Sequence, residues 1–213
     1  MTAFTSFQYV TPFWEWNGEN LDQFESPDIG SSVTSNSESV VTEGGISWIK
    51  MEITTNGTGN GILNGVYLPI DTTPSNANYG IMADCLNLST GNSDIGMIVA
   101  CRYSSNALHY LFRLEDRGGG GLRCQKATAG PSLSTQGVTM GEPSLDNVNQ
   151  GVQQLSVECN GQTFIRCKCG EEQIIYDSSP ITSTGTGAIG ITTTGTATTI
   201  VNLYRNIKMF YVS

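Results

Sequence analysis

The chain has 213 residues, a formal net charge of −9 and an isoelectric point near 4.4. Apolar residues make up 38% and charged residues only 14%; Ser, Thr, Asn, Gln and 25 glycines fill the difference. The acidic balance excludes bulk nucleic-acid binding, which needs excess Lys and Arg at the phosphates. No apolar run approaches the roughly 18 residues of a membrane-spanning helix. The opening MTAFTSFQYV lacks the basic and apolar segments of a secretory signal. Synthesis in a cytosol without a signal peptide is therefore expected, as a single all-β domain.

In chain order, residues 1–30 carry Phe13, Trp14, Trp16, Phe24 and Pro27 without a clear period. This predicts an irregular N-terminal arm whose aromatics anchor it to a sandwich formed by 31–213, or to a neighbouring chain. From Val33 onward, alternation and β-branched content predict strands over 33–41, 46–54, 65–70, 79–88, 95–103, 108–115 and 121–127. A long irregular stretch, 128–150, has room for one short edge strand. Further strands are expected over 152–160, 162–169, 172–176, 187–193 and 199–212. Turn chemistry separates them, notably Glu43-Gly44-Gly45, Ser104-Ser105-Asn106 and Gly118 to Gly121. Asn160-Gly161 is the strongest hairpin signal, matching a two-residue turn with positive φ at both positions.

The stretch 95–127 holds three of these strands, each with one arginine. If Val99, Cys101 and Tyr103 face the core, Arg102 faces out; the same alternation puts His109, Arg113, Arg123 and Gln125 outward. Arg166 takes an outward position on the strand containing Ile165, Cys167 and Cys169. Like charges across strands repel, so an arginine-bearing face would attract an anionic ligand, Glu158 of a neighbouring hairpin, or an acidic partner surface. Arg102, His109, Arg113, Arg123, Gln125 and Arg166 are the candidate binding residues.

Six cysteines are present: Cys85, Cys101, Cys124, Cys159, Cys167 and Cys169. Their strand positions fit reduced, buried side chains, and the spacing lacks a zinc-binding knuckle. Calcium would need clustered loop oxygens. Asn92, Asp94, Asp146 and Asn147 supply such atoms without a motif, so no metal and no cofactor are expected. Gly118 to Gly121 lack the following Gly-Lys and helix of a phosphate loop.

The motif order from Ile81 onward resembles the concanavalin A-like lectin/glucanase superfamily, in particular its laminin-G-like jelly rolls. The resemblance rests on IVACRY (98–103), ALHYLFRL (107–114), GLRCQKATAG (121–130), LSVECNGQTFIRCKCG (155–170), Asp177 to Pro180, Gly187 to Ile191 and the closing NLYRNIKMFYV (202–212). One departure is Tyr204-Arg205-Asn206, where the pattern commonly has an asparagine-aspartate pair. The resemblance implies an antiparallel two-sheet jelly-roll sandwich. Many members hydrolyse glycans with two carboxylates on one strand face. No such spacing occurs here, Glu115-Asp116 point to opposite faces, and the sole histidine, His109, has no recognisable partner. No catalytic residue is assigned. The expected role is a non-enzymatic structural module, such as a bacteriophage head-decoration, tail or fibre protein at a virion surface. Its partners would be other subunits of an assembly, including copies of itself. The alternative is a carbohydrate-binding module or lectin using the concave sheet face, and a glycan hydrolase ranks last.

Overall fold

The computed structural model describes residues 11–25, 28–29, 33–56, 65–67, 74–75, 78–89, 95–103, 108–116, 121–128, 138–141, 151–160, 164–169, 171–175, 185–193 and 199–212. These contain strands and no helix. In chain order the strands are β1 (Pro12–Glu15), β2 (Asp28–Ile29), β3 (Val33–Glu43), β4 (Ile46–Thr55), β5 (Gly65–Tyr67), β6 (Tyr79–Asn87), β7 (Ile95–Tyr103) and β8 (Leu108–Asp116). They continue as β9 (Gly121–Thr128), β10 (Val138–Gly141), β11 (Gln153–Asn160), β12 (Phe164–Cys169), β13 (Glu171–Ile175), β14 (Thr186–Thr193) and β15 (Thr199–Tyr211). Strands β5, β8, β9, β10, β12 and β13 are described by backbone and register.

Two antiparallel sheets form a jelly-roll sandwich. The first has the order β13-β12-β11-β6-β15-β4-β3, with β1 added on β15; the second is β10-β9-β8-β7-β14-β5-β2. β6 and β11 of the first sheet lie over β7 of the second. The period of two explains which side chains meet there. Ile49, Met51 and Ile53 of β4, Tyr79, Ile81, Ala83 and Cys85 of β6, and Leu155, Val157 and Cys159 of β11 all point inward. Met97, Val99 and Cys101 of β7 and Ile189 and Ile191 of β14 meet them from the second sheet. Each large aliphatic buried this way contributes about 1.5–3 kcal/mol, which is how a chain with 38% apolar residues holds two wide sheets together.

The N-terminal segment is more regular than its sequence suggests. β4 pairs with β15 over Thr199–Tyr204, and β1 takes the same edge of β15 further along, opposite Lys208 to Phe210. Trp16 and Phe24 are buried in the common core, with Phe13 and Trp14 packed against it. Phe13 stacks on Tyr211 at 4.5 Å between ring centroids, and Trp14 meets Phe24 edge-on at 5.6 Å. The Trp16 indole N–H donates to the Asn20 carbonyl at 2.7 Å. A four-residue run such as PFWE is too short to show an alternation, so edge pairing made it a strand.

Turn chemistry also sorts differently. Among the described residues, Gly44-Gly45 forms a two-residue turn with positive φ at both positions (60° and 79°), closing Glu43 onto Ile46. At Asn160-Gly161 the register pairs Asn160 with Phe164 and Cys159 with Ile165. A two-residue turn would pair Cys159 with Gln162 and move Ile165, Cys167 and Cys169 to the other face. Hydrophobic phase overrules the dipeptide, because a one-residue slip flips every side chain.

Two bulges interrupt the alternation. On β7, Cys101 and Arg102 together oppose Gly187, between the pairs Ala100–Ala188 and Tyr103–Thr186. On β15, Asn206 and Ile207 together oppose Ala83, between Arg205–Asp84 and Lys208–Met82. Each contains a non-glycine residue with positive φ, Arg102 at 59° and Asn206 at 51°. Such bulges re-aim side chains, and both matter below.

Candidate functional site

On the outer face of the first sheet, one row runs across three strands: Gln154 of β11, Asp84 of β6 and Arg205 of β15. Asp84 is 8% exposed and accepts three hydrogen bonds. Gln154 Nε2 donates to Oδ1 at 3.1 Å, Asn206 Nδ2 to Oδ2 at 2.6 Å, and Arg205 Nε to Oδ2 at 3.2 Å. The β15 bulge makes this convergence geometrically available. Arg205 reaches the row by ordinary alternation, while Asn206, turned by its left-handed backbone, comes back to the same carboxylate. Asparagine adopts this backbone more readily than most residues. The Arg205 guanidinium also lies 4.3 Å from the centroid of the Trp48 ring, a cation–π contact that fixes its plane. Trp48 itself is 4% exposed.

This arrangement presents oriented polar groups around a fixed carboxylate. Gln154 and Asn206 are exposed and Arg205 is half-buried, so two amides and a guanidinium face solvent. A carboxylate already accepting three hydrogen bonds holds its donors in place and has one remaining acceptor site of about four. On the same face, Glu158 lies four residues along β11 from Gln154. At about 3.4 Å per residue that is roughly 14 Å along the strands, and the same offset separates it from Asp84, the register partner of Gln154, beyond the about 5–9.5 Å used by paired glycosidase carboxylates. Lys50 pairs with Glu52 at 2.9 Å and Lys208 with Glu15 at 2.8 Å. Each described cation of this face therefore sits on a carboxylate.

The arginine face predicted from 95–127 takes another form. β7, β8 and β9 are indeed neighbours, and Arg113 pairs directly with Arg123, with Ile98 on the other side. His109 pairs with Ala127, and Gln125 with Leu111 and Thr139. The side chains of these four candidates lie outside the described ones. Arg166 belongs to the first sheet, opposite Glu158, so neither shares a sheet with Arg102, Arg113 and Arg123.

Arg102 contradicts its expected outward position: it is fully buried, at 0% exposure. The bulge supplies the reason, since two consecutive residues share one ladder position and Cys101 and Arg102 are both enclosed. The Arg102 backbone N–H donates to the Tyr79 hydroxyl at 2.6 Å, and that hydroxyl donates to the Gly185 carbonyl. Tyr79 thus reaches from the first sheet into the second and fastens both sides of the bulge. Burial, with the Cys101 and Cys159 thiols beside it, pushes the Tyr79 phenol far above its ordinary value. The phenol therefore remains a donor. Opposite the bulge, a Cβ on Gly187 would lie 3.0 Å from Ile81 Cδ1 and 3.2 Å from Met209 Sδ, so glycine is what lets the facing sheet close here.

The Asp84 network escaped the sequence reading, although it left a trace. In IVNLYRNIKMF the buried positions change phase, from Ile200 and Tyr204 to Ile207 and Met209. That slip locates a bulge at Arg205-Asn206, where the closing strand departs from the superfamily pattern. Gln154 and Asp84 carried no local signal. Among the described residues, no group of three or more His, Cys, Asp or Glu side chains is placed to hold a metal. The calcium-ligand positions Asn92, Asp94, Asp146 and Asn147 lie outside them.

No family model matches the sequence, and no curated protein does. Solved structures do match. The carbohydrate-binding module CBM66 from Bacillus subtilis superposes with a TM-score of 0.58 at 11% identity, over 85% of this chain and 96% of that one. A Bacillus licheniformis β-glucanase gives 0.52 at 9% identity, covering 86% and 94%. A legume lectin-like domain from Entamoeba histolytica gives 0.51 at 9%, covering 84% and 90%. At these identities the likeness is one of fold, a jelly-roll sandwich of two antiparallel sheets.

Proposed function

We propose that this chain is a non-catalytic carbohydrate-binding module that takes neutral glycans on the outer face of its first sheet. The observation that carries the reading is the Asp84 row. Gln154, Asn206 and Arg205 are held by one buried carboxylate and Trp48, so they meet a ligand without first being ordered. Preorganised amides and a guanidinium beside an indole suit a hydroxyl-rich ligand. Ion pairing of Lys50, Lys208 and Arg205 and a net charge of −9 favour neutral over acidic polymers. Structural likeness to a carbohydrate-binding module and a lectin-like domain supports the class. The wide spacing of Asp84 and Glu158 favours binding over hydrolysis. No observation of the fold favours a role in a virus particle, so that reading is not carried further.

Affinity electrophoresis and glycan-array binding test the proposal, with neutral and uronic-acid polymers side by side. The wild-type chain should be retained by a neutral polymer, and Arg205→Ala should weaken retention at least about tenfold, the effect of losing about 1.4 kcal/mol. Retention of neither polymer, or equal retention of wild type and Arg205→Ala, overturns it.

A further inference from the structure

Beside the β7 bulge, one contact in the core joins the two sheets. Cys101 of β7 and Cys159 of β11 belong to opposite sheets, and their Sγ atoms lie 3.2 Å apart. Both are buried, at 0% and 1% exposure. Cys101 Sγ also approaches the Tyr79 carbonyl at 3.6 Å, and Cys159 is the register partner of Tyr79. A disulfide needs its sulfurs about 2.05 Å apart, so closing this contact takes a movement of about 1 Å, within the reach of side-chain torsions. The other cysteines are less suited. Cys85 directs its sulfur to the Ala83 carbonyl of its own strand at 3.6 Å. In register, Cys124 faces Phe112 and Gly141, Cys167 faces Val157 and Gln173, and Cys169 faces Leu155 and Glu171.

We propose that Cys101 and Cys159 form a disulfide across the sandwich when the chain folds in the presence of a low-molecular-weight disulfide such as oxidised glutathione. One cysteine, deprotonated, attacks the small disulfide and releases one small thiol, giving a mixed disulfide. The second cysteine, also deprotonated, displaces the second small thiol and forms the Cys101–Cys159 bond. Two electrons and two protons pass from the cysteines to the two released thiols. Because both sulfurs are enclosed, the exchange takes place before the sheets close. The finished bond is then shielded from reductant by the same burial. It would join residues 58 apart in sequence, restricting the unfolded chain.

The test uses the full wild-type chain, refolded either with oxidised and reduced glutathione or with dithiothreitol, then blocked and analysed by mass spectrometry. The expected product of the glutathione arm has lost two hydrogens and retains four of its six thiols. Without reduction, trypsin should release a cross-linked species joining 51–102 to 127–166, the second of which contains Cys159 as its only cysteine. Cys85→Ser should keep this species and Cys159→Ser should lose it. The oxidised form should unfold at higher denaturant concentration than the dithiothreitol form. Six titratable thiols in the glutathione arm, or loss of the species joining 51–102 to 127–166 in Cys85→Ser, overturns the proposal.

Discussion

The two bulges are built alike and end differently. Each sets two residues against one, and each turns a non-glycine residue to positive φ. On β15 the turned residue is Asn206, exposed, with its side chain on Asp84. On β7 it is Arg102, enclosed, with its backbone N–H on Tyr79. A bulge therefore selects a direction and not a role. At the surface the reversed phase adds a donor to a polar row. In the interior it brings a guanidinium into a closed space and gives the turned backbone N–H a tyrosine from the other sheet as its acceptor.

Mutations can break this comparison in order of expected effect. Arg102→Ala should be the most damaging, at about 3–5 kcal/mol, since it empties an enclosed volume the size of a long side chain. Urea denaturation measures it; a loss below about 1 kcal/mol would show that the interior bulge tolerates truncation as a surface one does. Tyr79→Phe should follow at about 1–3 kcal/mol, because the Arg102 N–H and the Gly185 carbonyl each lose their partner. This variant also carries a pH signature. The folded phenol is held above its ordinary value, so the unfolded state binds fewer protons once pH passes about 10. Wild-type stability should be unaffected by this group below that pH and should fall by up to about 1.4 kcal/mol per unit above it. Denaturation curves across pH 8–11 should be flatter for Tyr79→Phe than for wild type.

The surface bulge should respond more mildly. Asn206→Val loses the bond to Asp84 and puts a β-branched residue at φ 51°, for a cost of about 1–3 kcal/mol. Asn206→Gly loses the same bond and relieves the backbone, so its stability should stay within about 1 kcal/mol of wild type. Thermal melts of this pair separate backbone from side-chain contributions. If Val and Gly behave alike, the left-handed backbone is not what makes the position special.

Most of the fold was legible because alternation is a local property. The strands from Val33 to the closing strand were found nearly to their ends, and the inward positions of β6, β7 and β11 follow from a period of two. The same rule failed at Arg102, since a bulge shifts phase without altering the apolar pattern beside it: Cys101 is followed by Arg102 and Tyr103 with no visible slip. At Arg205-Asn206 the slip was visible, because Ile207 and Met209 resume out of phase with Tyr204. The anchors Phe13, Trp14, Trp16 and Phe24 could be singled out as aromatics, but not their sheet edge.

The order of apolar and polar residues by itself determined an antiparallel sandwich and the extent of most of its strands. Tertiary structure alone decided which strands became neighbours, and so brought Gln154, Asp84 and Arg205, distant in the chain, into one row. It also decided that Cys101 meets Cys159 across the core. The physical reason is range. Side-chain alternation is set by each residue's own backbone, whereas a carboxylate's donors and a thiol's partner depend on strand order and on where a bulge shifts the register between sheets.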